Sequence, residues 1–165
     1  MPRRKRVYLL RHAKSSWEDP ELDDHDRPLA PRGRRAAKLI GAHLRRERIE
    51  VSLVLCSSAR RARETLELAD APGEILVEEQ LYGASSAALL ERLRRVSDER
   101  DAVMLIGHNP AIHELAIELA SEPGELTAEK FPTGALAALS FEGSWPALEP
   151  GGARLDWLVK PRQLD

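Results

Sequence analysis

Apolar residues in this chain come in short unbroken runs, and each run closes abruptly on polar residues. Val7-Tyr8-Leu9-Leu10 closes on Arg11-His12, Val51-Ser52-Leu53-Val54-Leu55-Cys56 on Ser57-Ser58, and Ala102-Val103-Met104-Leu105-Ile106 on Gly107-His108-Asn109-Pro110. Such runs predict strands buried on both faces, as in a parallel sheet. Ile75-Leu76-Val77 reads as a short third strand. Between the runs the apolar spacing becomes helical. Pro31 to Arg48 places Leu39, Ile40 and Leu44 on one side with Ala36 and Ala37, and Ser85 to Val96 turns Leu89, Leu90 and Leu93 inward. A helix is also expected over Ala59–Ala69. Another is expected to end near Ala120, with Asn109 as its cap and Pro110 at its first helical position. Lys14–Pro28 and Ser121–Lys130 read as loops, and Ala135–Phe141 and Arg154–Val159 as an antiparallel pair. Strand alternating with helix predicts a three-layer α/β/α sandwich over residues 1–165. Its sheet is expected to be mostly parallel, with an antiparallel edge near the C-terminus.

Composition narrows the function classes. The chain has 165 residues, 42% of them hydrophobic, which suits one domain with its own core. Its 25 basic and 27 acidic side chains nearly balance, so no global field draws it to nucleic acid or an anionic membrane. Arg3-Arg4-Lys5-Arg6 reads as a solvated tail, and Arg32, Arg34, Arg35, Arg45, Arg46 and Arg48 as a solvated helix face. Acidic neighbours and few aromatic residues argue against a nucleic-acid partner. The apolar run at Val7 is too short for a signal segment, and no stretch has the length of a membrane span, so the expected location is the cytoplasm. Cys56 is the sole cysteine and reads as core. No Cys cluster, H-E-x-x-H, Walker or dinucleotide glycine pattern is present, so neither a metal nor a cofactor is expected.

The chemistry concentrates at strand ends. In open α/β sheets, ligands bind beyond the carboxyl edge of the strands. That edge would collect Arg11 and His12 from the first strand, Ser57 and then Arg61 from the second, and His108 with a helix start from the fourth. Two guanidiniums can clamp a phosphoryl group and offset its charge. A neutral imidazole can attack phosphorus through one nitrogen if a partner holds the other. A second histidine and a helix N-terminus add donors for an anion. Phosphoryl transfer asks mainly for positioning and charge stabilisation, which this set supplies without a metal. His25, His43 and His113 read as surface or packing residues.

These residues carry a resemblance. Leu10-Arg11-His12-Ala13 resembles the R-H-G/A signature of the histidine phosphatase superfamily (branch 1). Ser57-Ser58-Ala59-Arg60-Arg61-Ala62-Arg63-Glu64-Thr65 resembles its S-x-x-x-R-A-x-x-T motif, which singles out Arg61. Gly107-His108-Asn109-Pro110 resembles the motif of its second histidine. His25-Asp26-Arg27-Pro28-Leu29, Arg32-Gly33, Pro132-Thr133-Gly134 and Lys160-Pro161-Arg162 are similar to stretches of the SixA-type phosphohistidine phosphatases.

The resemblance implies a phosphoglycerate-mutase-like fold and a metal-independent hydrolase. It makes His12 the nucleophile of a covalent phosphohistidine intermediate, Arg11 and Arg61 the phosphoryl clamp, and His108 the group that completes the pocket. Arg27, Ser15 and Asn109 join the expected substrate-binding residues. The implied substrate is a phosphohistidine-bearing protein such as a phosphotransfer domain. The alternatives are a small phosphorylated metabolite, which would make the chain a general phosphomonoesterase, and a non-catalytic phosphate-binding module. The residues do not single out a general acid among Glu78, Glu79 and the loop carboxylates Asp19, Asp23, Asp24 and Asp26. That fits a labile P–N bond, whose imidazole leaving group can carry its own proton.

Overall fold

The structure, a computed structural model, describes residues 4–165. Its six strands are β1 (Arg4–Arg11), β2 (Leu53–Ser57), β3 (Glu74–Glu78), β4 (Ala102–Gly107), β5 (Leu136–Glu142) and β6 (Arg154–Val159). They form one sheet in the order β3-β2-β4-β1-β5-β6. The first four are mutually parallel. β5 and β6 add the antiparallel edge.

The unbroken apolar runs divide between the two faces by the period of two of a strand. Val7, Leu9, Leu53, Leu55, Val103, Leu105, Ala137 and Leu139 enter one core. Tyr8, Leu10, Val54, Cys56, Met104, Ile106, Leu136 and Ala138 enter the other. The helices α1 (Pro31–Arg46) and α2 (Arg60–Ala69) cover the second face through Ile40, Leu44, Ala62 and Leu66. The helices α3 (Ser86–Arg94) and α4 (Ala111–Leu119), with a short α5 (Glu125–Ala128), cover the first through Leu89, Leu93, Ile112, Leu115 and Leu126. This is the expected three-layer sandwich with a mostly parallel sheet. Adjacent strands β1 and β4 feed helices on opposite faces, and that divergence opens a crevice at their carboxyl ends.

Several local expectations are corrected. β1 begins at Arg4 rather than Val7, so Arg4, Lys5 and Arg6 form ladder pairs and are no solvated tail; Arg3 lies outside the described residues. Lys5 is only 2% exposed. Its ammonium reaches the Asp98 carbonyl at 2.5 Å and Asp101 at 3.1 Å, so its charge stays paired inside the fold. Asn109 does not cap α4. Its amide donates to the Phe131 carbonyl at 2.9 Å instead, and Pro110, joined to it by a cis peptide bond, precedes the first helical residue. Within the expected loop Ser121–Lys130, Leu126 is buried and folds α5. α1 ends at Arg46, two residues early.

Gly33 shows how tightly the first helix is set against the loop that follows β1. A Cβ there would lie 2.0 Å from the Lys14 carbonyl oxygen, which already accepts from Ala30 N at 2.9 Å. Gly33→Ala is therefore expected to lower stability by about 1–3 kcal/mol, since backbone rather than a flexible side chain must give way. Thermal or denaturant unfolding of the variant checks this; an unchanged midpoint would refute the tight seat.

Candidate active site

The β1–β4 register sets His12 beside His108. Arg11 pairs with Gly107, and the next amide, His12 N, donates to the Gly107 carbonyl at 3.1 Å. One residue beyond each strand the two imidazoles face each other, with ring centroids 5.0 Å apart. His12 is held from both directions along the chain. Its carbonyl and that of Arg11 accept from Gly134 N, and Ala13 N donates to Thr65 Oγ1 at 3.0 Å. The Thr65 hydroxyl in turn donates to the Arg61 carbonyl at 2.7 Å, so α2 is tied to the end of β1 by a side chain.

The imidazole of His12 has distinct ends. Nδ1 lies 2.8 Å from the Ala13 carbonyl, which can only accept, so this nitrogen carries the proton. Nε2 then holds the lone pair. It faces Arg61, whose Nε approaches to 3.4 Å. Burial pushes the His12 pKa down to about 3; His108, Arg61 and Arg11 push the same way, and the Ala13 bond opposes them. Burial takes His108 down to about 4, aided by Arg61. Both rings are therefore neutral at neutral pH. His108 Nε2 shares a hydrogen bond of 2.7 Å with the Ser57 hydroxyl, which brings the end of β2 into the same group.

Arg61, and not Arg60 or Arg63, is the buried guanidinium beside His12. Arg60 is exposed and pairs with Glu64, while Arg63 donates to the Ser58 carbonyl. Arg11 reaches the Phe131 carbonyl at 3.0 Å, the same acceptor that Asn109 uses, so those two side chains lie together.

The loop after β1 contributes a residue that sequence reasoning left among four equivalents. Asp24 accepts from Arg61 Nη2 at 2.9 Å, Arg27 Nη1 at 3.0 Å and the Tyr82 hydroxyl at 2.6 Å, and its carbonyl accepts from Arg61 Nη1 at 2.7 Å. The Tyr82 bond first, then Arg61, hold its pKa down to about 2, so it is ionised and no proton donor at neutral pH. Donation to Asp24 pushes the Tyr82 phenol up. Tyr82 also packs edge-on against His108 at 5.7 Å and His25 at 4.9 Å, so His25 stands at the rim of the site rather than apart from it. Its Nε2 lies 2.9 Å from Ser58 Oγ. Arg27 is buried, donating to Ser15 Oγ and to the Ser16 carbonyl, while the Ser16 hydroxyl serves a local turn. Asp19 caps its own turn by accepting from Glu21 N, and Asp26 lies near His25. Glu78 is bound at both oxygens by Arg92, at 2.8 and 3.1 Å, and Glu79 is exposed. His43 packs edge-on against Trp157, and His113 stacks on Phe131. Among the described residues, no group of three His, Cys, Asp or Glu side chains could hold a metal ion. No helix among them is long and apolar enough to cross a membrane.

With this geometry in place, comparison with known proteins is decisive. The sequence profile of the histidine phosphatase superfamily (branch 1) matches residues 7–82, the span that carries His12 and Arg61. The solved structure of a SixA-type protein from Nakamurella multipartitia superposes with a TM-score of 0.89 at 31% identity, covering 98% of this chain and 99% of that one. The chain belongs to the histidine phosphatase superfamily, in its SixA-like group. The phosphohistidine phosphatase SixA of Escherichia coli is 28% identical over 164 residues, spanning 96% of this chain and 95% of its own. An uncharacterized protein of Mycobacterium tuberculosis is 43% identical over 159 residues, 93% of this chain and all of that protein. Membership in this histidine phosphatase group supports phosphatase activity.

The electrostatics of the site give a direct expectation. At pH 7 the His12 ring should show the neutral Nδ1–H pattern in long-range ¹H–¹⁵N spectra, with no titration above about pH 5. A ring that becomes cationic between about pH 6 and 7 would leave Nε2 without its lone pair and would contradict the arrangement.

Proposed function

We propose that this SixA-like protein is a metal-independent phosphohistidine phosphatase acting on a phosphoprotein through a covalent phosphohistidine on His12. The observation that carries this reading is a neutral, buried imidazole with its proton held on Nδ1 by the Ala13 carbonyl and its unprotonated nitrogen beside Arg61. Nucleophilic catalysis by histidine needs such a fixed tautomer.

In the first step the Nε2 lone pair forms a bond to phosphorus. The substrate's P–N bond breaks, and its electron pair goes to the departing nitrogen. With its other nitrogen protonated, that ring leaves as neutral imidazole, and no enzyme acid is required. Arg11 and Arg61 offset the charge on the phosphoryl oxygens. His108 stands across from His12 as a neutral neighbour to those oxygens. In the second step water attacks phosphorus, the electron pair of the His12–P bond returns to Nε2, and both water protons leave with the phosphate. Arg27 is joined to Arg61 through Asp24, Ser15 lies on Arg27, and Asn109 shares the Phe131 carbonyl with Arg11, from where they would meet the substrate's edge.

The state of the carboxylates favours a phosphoramidate over a sugar phosphate. An alkoxide leaving group calls for an acid, yet Asp24 is ionised and Glu78 is bound at both oxygens by Arg92.

The test is phosphate release, with EDTA present, from a phosphohistidine-bearing phosphotransfer domain and from sugar phosphates. Wild type is expected to act on the phosphoprotein and poorly on the sugars, and His12→Ala to lose more than about 1,000-fold. Loss of activity on chelation, or survival of it in His12→Ala, would refute the mechanism. Faster turnover of sugar phosphates would make the protein a general phosphomonoesterase.

A further inference from the structure

Trp17 is 72% exposed, far more than any other large apolar side chain among the described residues. It is not loose. One face of its indole lies on the Arg27 guanidinium, with Cζ 3.3 Å from the ring centroid. Arg27 is itself buried and fixed by Ser15, Ser16 and Asp24, and Asp24 holds Arg61 beside His12. The indole's position is therefore set by the catalytic centre three contacts away, while its other face meets solvent. A small phosphorylated metabolite would gain nothing from it.

Charge says what would cover that face. Glu18, Asp19, Glu21 and Asp23 follow Trp17 along the same loop, all exposed, and none has an ion-pair partner among the described residues. The floor of the site is cationic, but this side of its rim is anionic. A partner must bring one phosphorylated side chain to Arg61 and basic residues to the rim.

Resting on the reading of the protein as a phosphoprotein phosphatase, we propose that Trp17 is the docking anchor for the substrate protein. It would seat an apolar patch of a folded domain, with Lys or Arg of that domain set against the acidic rim. A rigid aromatic side chain, already ordered before binding, suits this role because little conformational entropy remains to be lost.

Two substrates with the same scissile bond separate the contributions: N-phosphoimidazole, which has no protein body, and the phosphohistidine-bearing phosphotransfer domain. Trp17→Ala is expected to lower kcat/KM on the protein about tenfold or more, chiefly through KM, and to leave N-phosphoimidazole turnover as in wild type. Because Trp17 is exposed, the variant keeps its fold, which circular dichroism checks. A Glu18→Lys/Asp19→Lys double variant should weaken the protein substrate alone, and added salt should narrow its difference from wild type. Equal losses on both substrates would mean that Trp17 acts through Arg27 on the pocket, and this would overturn the proposal. Unchanged kinetics on the protein would overturn it too. A wild type that cleaves N-phosphoimidazole but no phosphoprotein would overturn the functional reading as well, whereas a failure confined to Trp17→Ala overturns only the docking role.

Discussion

A single backbone hydrogen bond, from His12 N to the Gly107 carbonyl, is the constraint on which the site rests. It extends the parallel ladder of β1 and β4 by one residue past the point where their side chains turn polar. The two histidines then emerge side by side from strands whose apolar runs are buried. Everything else in the site is referred to that pair. β2 supplies Ser57 to His108, and α2 supplies Arg61 to His12. The precision comes from sheet register, which cannot slip without exchanging the two cores.

A second layer of order is electrostatic. The buried His12, the half-buried His108 and two arginines share one crevice, and their mutual repulsion is relieved in two ways. Burial keeps both imidazoles neutral. The Asp24 carboxylate then gathers Arg61, Arg27 and Tyr82 around a single negative charge. A charge so far inside the donor set is best seen as a tether. It turns the Nη edge of Arg61 away from His12 and leaves Nε facing the lone pair. The same tether joins an irregular loop to α2 and to the end of the β3 segment, three parts of the chain far apart in sequence.

Much of this was legible from the chain alone. His12, Ser57, Arg61 and His108 could be placed because strand ends in a parallel sheet share one edge, and apolar runs mark strand ends clearly. The residues that escaped are those whose placement depends on tertiary contacts. Asp24 is one of several loop carboxylates, and only the fold distinguishes it. Tyr82 follows an unremarkable turn and meets His108 only because β3 lies beside β2. Lys5 sits among basic residues that read as a tail, yet a carbonyl and a carboxylate draw its ammonium inward. Asn109 beside a proline has the local signature of a cap, but the Phe131 carbonyl offers its amide a better partner. In each case a partner distant in sequence overrode a sound local rule.

The bond between His12 Nδ1 and the Ala13 carbonyl carries a stereochemical consequence. A protein histidine can bear phosphate on either of its ring nitrogens, and the two isomers differ in reach and shape. In the reaction proposed above, the receiving ring would have one nitrogen occupied, so both isomers would hand phosphorus to the same atom. The enzyme-bound species would then be a single regioisomer, and the isomeric history of the substrate would be erased before water arrives. Discrimination between isomers would belong to the first transfer alone.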